Sequence, residues 1–133
     1  MYTIQRKKWI SESVCLKNSD GEDCCTLTVN VNADNIARRI TKLWEDLGRA
    51  QIELEHDVQS DAALEAYGKS VVSLLEVVFG AEQTATILKH YNGKYTEMLL
   101  DFAPFYTEKI IPAIRAINEQ RKAELKKYAR YKK

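Results

Sequence analysis

The sequence contains few of the residues from which catalytic and metal sites are built. Its 133 residues include two histidines and five glycines. His56 and His90 stand far apart in polar surroundings and form no metal-binding motif. The glycines form no phosphate-binding loop, and no serine, threonine or cysteine stands in a known nucleophile motif. We therefore predict that the protein is not an enzyme and that it holds no cofactor and no metal.

Cysteine is also scarce, with residues at positions 15, 24 and 25. An odd number of cysteines without a secretory signal argues against a disulfide framework. Cys24 and Cys25 are adjacent, so on a strand they would point to opposite faces. Cys15 could face one of them across a hairpin. We predict reduced cysteines that serve in packing.

Long apolar runs and a strong net charge are absent as well. We expect no apolar stretch to approach the roughly 18 residues of a membrane span. The basic residues Arg6, Lys7 and Lys8 have no apolar run behind them, so the start is not a signal peptide. A net charge of +1 gives no overall attraction to nucleic acid or membrane. We expect one cytoplasmic domain over residues 1–133, without membrane contact.

Residues 9–31 have the pattern of a β-hairpin. Asn18-Ser19-Asp20-Gly21 is a strong turn signal because glycine accepts a positive φ without steric cost. Thr26 and Thr28 suit the solvent side of the second strand. Apolar and polar residues alternate on both sides of the turn, with apolar residues at Val14, Leu16, Leu27, Val29 and Val31. A lone hairpin is marginally stable, so it must pack on helices or extend another sheet.

From residue 33 to residue 130 the apolar spacing becomes helical. A first helix capped by Asn32 or Asp34 carries an apolar stripe at Ile36, Ile40, Leu43, Trp44, Leu47 and Leu54. A second helix starts at Ser60 or Asp61 and ends at Gly80, a residue suited to the left-handed position after a helix. Its apolar face comprises Ala63, Tyr67, Val71, Leu74, Leu75 and Val78.

The remaining helices are separated by glycine and proline. A short helix spans 81–91, Asn92-Gly93 breaks it, and the helix resumes at 95–102. Pro104 begins the last element, because proline is tolerated in a first helical turn. Pro112 either bends this helix near Ile111 or begins a new helix after a short turn. We predict an α+β, mainly α fold, in which the hairpin precedes a bundle of about four to five helices.

Charge is segregated along the chain. Residues 45–97 hold ten acidic and four basic residues, whereas residues 115–133 hold eight basic and two acidic. Three interpretations stay open: cations that complement a helix C-terminus, docking to an acidic partner such as another copy's acidic middle, and binding of nucleic acid. Nucleic acid is the least favoured of the three. The residues assigned to electrostatic docking are Arg121, Lys122, Lys126, Lys127 and Arg130.

The order of elements resembles that of tail assembly chaperones, small proteins of siphophage and prophage tail-gene clusters in Gram-positive bacteria. The resemblance covers most of the chain in layout. It rests on the hairpin strand 26–32 leading into a long helix, on Val77-Val78-Phe79-Gly80, on Asn92-Gly93-Lys94-Tyr95, and on a basic end after Ile110-Ile111-Pro112-Ala113-Ile114.

The resemblance implies a non-catalytic protein that works in the host cytoplasm. Such chaperones bind the long tape measure protein, keep it soluble and help to recruit tail tube subunits. The first helix has a wide apolar stripe, which could leave an open face for a helical client. We predict client contacts at Ile40, Leu43, Trp44 and Leu47.

Other functions remain as alternatives. One is a structural tail completion or connector protein of the virion, in which the hairpin extends a neighbour's sheet. Another is a small nucleic-acid-binding regulator that uses the basic C-terminal segment. Homo-oligomer formation is compatible with each of these hypotheses.

Overall fold

The computed structural model describes residues 1–6, 10–31 and 36–129. Two antiparallel strands come first, β1 (Ile10–Lys17) and β2 (Asp23–Val31). Ile10 pairs with Val31 and Leu16 with Cys25, and the register is irregular between Leu16 and Lys17. The predicted hairpin is therefore confirmed from Ile10 onward. Trp9, where we expected it to begin, lies outside the described residues.

The hairpin turn is closed by one asparagine. The side-chain Oδ1 of Asn18 accepts hydrogen bonds from the backbone N–H groups of Asp20 and Glu22, both at 3.0 Å. Gly21 follows with a φ of 83°, and its N–H donates to the Asn18 carbonyl at 3.0 Å. A side chain that bonds to the backbone ahead of it fixes a turn locally. This is why the turn was predictable from four residues.

One face of the hairpin enters the core and the other meets solvent. The alternation predicted from sequence is confirmed: Leu16, Leu27, Val29 and Val31 are buried and Val14 is half-buried. Thr26 and Thr28 are exposed as expected. Cys15 lies opposite Thr26, not opposite a cysteine. Cys25 is half-buried against the core, but Cys15 and Cys24 are exposed, so the packing role predicted for those two was wrong.

Two long helices follow the hairpin. Helix α1 (Ile36–His56) buries Ile36, Ile40, Leu47 and Ala50. Its predicted caps, Asn32 and Asp34, lie outside the described residues. Helix α2 (Asp61–His90) starts at the predicted N-cap, where Ser60 Oγ accepts a hydrogen bond from the Ala63 N–H at 3.1 Å. The connection at residues 57–60 is short, so α1 and α2 pack as an antiparallel pair.

Helix α2 consists of two helical parts that meet at a kink at Gly80, the residue at which we predicted a helix end. Gly80 has φ 80° and ψ 165°, outside the helical region, and the helix resumes directly after it. The separate helix predicted at 81–91 is therefore the second part of α2. The predicted break at 92–93 is confirmed, because Asn92 and Gly93 have φ values of 53° and 73°.

The side chain of Gln83 ties the second part of α2 to the hairpin. Its Oε1 accepts from the Thr28 N–H and its Nε2 donates to the Thr28 carbonyl, both at 2.8 Å. An amide side chain thus takes the place of a third strand at the free edge of β2. Covering an edge in this way is a known protection against unwanted strand pairing.

The final helical segment runs without interruption through both prolines. It comprises α3 (Tyr95–Phe105), a π-helical turn (Tyr106–Ile110) and α4 (Ile111–Ala129). The prediction that Pro104 begins the last element was wrong, because Pro104 lies inside α3. The change predicted before Pro112 corresponds to the π-helical turn, after which α4 begins at Ile111. The Ile111 N–H donates to the Tyr106 carbonyl five residues back. This wider turn directly precedes Pro112 and accommodates its missing donor within a continuous helix.

The described residues thus form an α+β, mostly helical fold, with one hairpin followed by three helices. The prediction of four to five helices was wrong in number. It counted the kink at Gly80 and the two prolines as helix ends. Local sequence signals a weak point in a helix, but packing decides whether the helix continues beyond it.

Among the described residues, α2 is the one helix that is both long and apolar enough to be compared with a membrane span. Its best 18-residue window has a mean hydropathy of 1.4, so by length and composition it could cross a membrane, and 39% of that window is buried. This corrects our statement that no such stretch exists. Because polar residues are scattered through this window, its high mean hydropathy was not recognised in the sequence. Its buried side chains lie in the core, and include Val71, Leu74, Leu75, Val78, Phe79 and Ile87.

Candidate protein-binding groove

A groove lies between the first part of α1 and the junction of the π-helical turn with α4. It has a volume of about 310 Å³. Ile40 and Ile114 are buried, while Trp44 and Ile111 are half-buried. The residues that line it are Ala37, Ile40, Thr41, Trp44, Glu45, Thr107, Ile111, Ile114 and Arg115. Its lining is thus largely apolar, as in most sites that bind a hydrophobic side chain.

Trp44 is the largest side chain in this lining. Its ring lies against that of Tyr106, with 6.1 Å between the centroids and 34° between the planes. Tyr106 is 1% exposed, and its hydroxyl donates to the backbone carbonyl of Leu74 in α2. Burial raises the pKa of Tyr106 above its usual value, so the phenol stays protonated. A buried, hydrogen-bonded tyrosine therefore supports one side of the indole.

Charged residues of opposite sign stand at the edge of the groove. Glu45 lies on α1 and Arg115 on α4, and both are exposed. Asp46 and Arg49, which also lie on α1, form an ion pair one turn apart. An apolar floor with one acid and one base at its rim suits an amphipathic segment that carries charges beside its apolar face.

The structure distributes the four predicted client contacts over three places. Ile40 and Trp44 line the groove, one helical turn apart. Leu47 is 3% exposed and belongs to the core. Leu43 is half-buried and lies on the side of α1 that faces α2, in a depression shared with Val77. Two of the four residues are thus brought together.

The α4 side of the groove was missed in the sequence. It consists of Thr107, Ile111, Ile114 and Arg115. The available signal was the apolar spacing of Ile111 and Ile114 around Pro112. Because Pro112 was taken as a break, these residues were not placed on one continuous helix opposite α1.

The predicted basic docking residues lie beyond the packed part of α4. Ile117 is the last buried residue of that helix. Lys122, Lys126 and Lys127 follow as exposed residues, Arg121 is half-buried, and Arg130 lies outside the described residues. The basic segment is therefore a surface separate from the groove, although α4 contributes residues to both.

In the described ranges, no three His, Cys, Asp or Glu side chains are grouped as a metal site would require. Cys15 donates from its thiol to Asp23 Oδ1 at 3.6 Å. Partial desolvation and the negative charge of Asp23 raise the pKa of this thiol, which disfavours the thiolate.

The comparisons with known proteins found no similarity. No family model matches the chain, and neither a curated protein nor a solved structure matches it.

Proposed function

We propose that this protein is a phage tail assembly chaperone that binds the tape measure protein and keeps it soluble in the host cytoplasm. The groove between α1 and α4 is the observation that carries this proposal. A tape measure protein is a long helical chain, and an apolar groove with charged edges accepts one face of an amphipathic helix. The tail tube protein is a second proposed partner.

The groove is small for a high-affinity site, and this agrees with the proposed task. Its volume of about 310 Å³ accommodates one or two apolar side chains. Many copies, each holding a short segment of one client, would act together through effective concentration. The chaperone can then leave the client one contact at a time when the tail tube assembles.

The first prediction concerns filling the groove. Thr41 is exposed and lines the groove without belonging to the core. Thr41→Trp should occupy the space and weaken client binding about tenfold or more, because the anchor residues of an interface carry most of its energy. Trp44→Ala should have a similar effect by removing the anchor. The measurement is co-expression with the long helical protein of the same gene cluster, followed by quantification of soluble complex.

A matched control uses a surface residue of α3. Leu100 is 67% exposed and does not line the groove. Leu100→Ser should leave both folding and client binding unchanged. Circular dichroism and thermal unfolding of each variant show whether the fold is retained. If Thr41→Trp is folded and binds the client as the unmodified protein does, the groove is not the client site. Detection of the protein in purified virions would instead favour a structural tail component.

A further inference from the structure

The two ends of the helical body differ in charge. Residues 52–65, which contain the end of α1, the connection and the start of α2, form one end, named here the acidic corner. Residues 119–129 of α4 form the other end, named the basic tip. Ala37, Ile40 and Trp44 face Ile111 and Ile114 across the groove. The acidic corner includes the end of α1, and the basic tip is the part of α4 that follows its last buried residue, Ile117.

The acidic corner combines negative charge with exposed apolar side chains. It contains five acidic residues and no lysine or arginine, namely Glu53, Glu55, Asp57, Asp61 and Glu65. Glu65 is paired with Lys69 at 3.4 Å, at the edge of this region. Ile52, Val58 and Leu64 are 56%, 70% and 49% exposed. Stabilisation of helix ends would explain some of the charges, but it requires none of these apolar residues on the surface.

The basic tip has the complementary character. Residues 119–129 contain four basic and two acidic residues, and the sequence adds Arg130, Lys132 and Lys133. Leu125 and Tyr128 are three residues apart, on one side of the helix, and are 69% and 68% exposed. They continue the stripe that buries Ile114 and Ile117 further back. The apolar stripe of α4 therefore extends beyond the body on which it packs.

Each of the two ends lies well away from the groove along its own helix. At 1.5 Å per helical residue, the distance from Ile40 to Glu55 along α1 and the distance from Ile114 to Lys127 along α4 add to roughly 40 Å. A contact between the acidic corner of one molecule and the basic tip of another needs no such approach within one chain.

We propose that the basic tip of one copy docks on the acidic corner of a second copy. Leu125 and Tyr128 would cover Ile52, Val58 and Leu64, while Lys122, Lys126 and Lys127 face the carboxylates. Such a contact uses different surfaces of the two copies, so one copy keeps a free corner and the other keeps a free tip. Heterologous contacts of this kind produce rings or open chains. The proposal does not depend on the function proposed above.

The test is sedimentation velocity of the full chain at low and high salt. The unmodified protein should self-associate with rising concentration, and high salt should dissociate it because exposed charges are screened. Lys126→Glu with Lys127→Glu should weaken self-association about tenfold or more, since like charges would then face each other. Glu53→Lys with Glu55→Lys should have the same effect. Mixing these two variants should restore assembly, because each acidic end then meets a basic one.

Control variants separate this contact from a general charge effect. Lys89 and Lys94 are exposed and lie outside both ends. Lys89→Glu with Lys94→Glu gives the same change in net charge and should leave self-association unchanged. Leu125→Ser with Tyr128→Ser should weaken it without any change in charge. Circular dichroism verifies that every variant is folded.

Three results would overturn the proposal. One is an unmodified protein that stays monomeric at low salt up to about 1 mM. Another is a mixture of the two charge-reversed variants that remains monomeric. The third is a Lys126→Glu, Lys127→Glu variant that self-associates normally but loses salt-sensitive binding to single-stranded RNA. That last result would assign the basic tip to nucleic acid.

Discussion

Replacing Tyr106 by alanine should destabilise the protein by about 3–5 kcal/mol, as is typical for a buried aromatic residue. Tyr106 is 1% exposed, and it contacts Trp44 on α1 and Phe105 on its own helical segment. Its hydroxyl also reaches the Leu74 carbonyl of α2. One side chain thus joins all three helices. The loss would be a large share of the 5–15 kcal/mol that is typical of a domain, and urea unfolding measures it.

Tyr106→Phe separates the ring from the hydroxyl. It keeps the contact with Trp44 but removes the hydrogen bond to Leu74, which should cost about 1–3 kcal/mol. Client binding by Tyr106→Phe should match that of the unmodified protein, because the groove keeps its shape. Equal losses of stability in the two variants would show that the ring packing contributes little.

The hydroxyl also gives a pH dependence with a defined sign. Burial raises the pKa of Tyr106 in the folded state above the usual 10.0, so only the unfolded state ionises just above that pH. The contribution of Tyr106 to stability is complete below pH 10 and is lost as the pH rises. The stability advantage of the unmodified protein over Tyr106→Phe should therefore fall by about 1.4 kcal/mol per pH unit above pH 10.

The hairpin was predictable because its determinants are local. Asn18 and Gly21 define the turn within four residues, and the pleat places every second side chain on one face. Val29 and Leu27 could therefore be assigned to the core from their positions alone. The Gln83 bridge to Thr28 could not be predicted, since 55 residues separate the two side chains.

The groove was only half predictable because it depends on how two distant helices meet. The sequence indicated a wide apolar stripe on α1, but a stripe of this width faces more than one neighbour. Leu47 is buried in the core and Leu43 shares a depression with Val77 of α2, whereas Ile40 and Trp44 line the groove beside α4. The path of α4 depends on the π-helical turn before Pro112, which local propensities do not encode.

The second large effect is expected at Gly80, where alanine should destabilise the protein by about 1–3 kcal/mol. Its φ of 80° and ψ of 165° are almost restricted to glycine. Two carbonyl groups at the kink accept side-chain hydrogen bonds from the next turn. Gln83 donates to the Phe79 carbonyl at 2.9 Å, and Thr84 donates to the Gly80 carbonyl at 2.7 Å. The sequence of α2 is thus adapted to a bend at this position.

Gly48→Ala is the matched control for Gly80→Ala. Gly48 lies inside α1, and no atom lies within 4 Å of the position that a Cβ would occupy. The same chemical change should therefore stabilise the protein by about 1 kcal/mol, the usual gain from glycine to alanine in a helix. Opposite signs in thermal unfolding would show that backbone conformation, and not the added methyl group, decides the outcome.

The kink at Gly80 also affects how Gln83 covers the free edge of β2. If alanine straightens α2, Gln83 moves away from Thr28 and the free edge of β2 loses its cover. Amide hydrogen exchange at Thr28 should then become faster in Gly80→Ala, and also in Gln83→Ala, which keeps the kink but removes the bridge. Fast exchange in Gln83→Ala alone would show that the kink survives alanine at position 80. An uncovered strand edge favours pairing with other chains, so Gly80→Ala should also aggregate more readily than the unmodified protein.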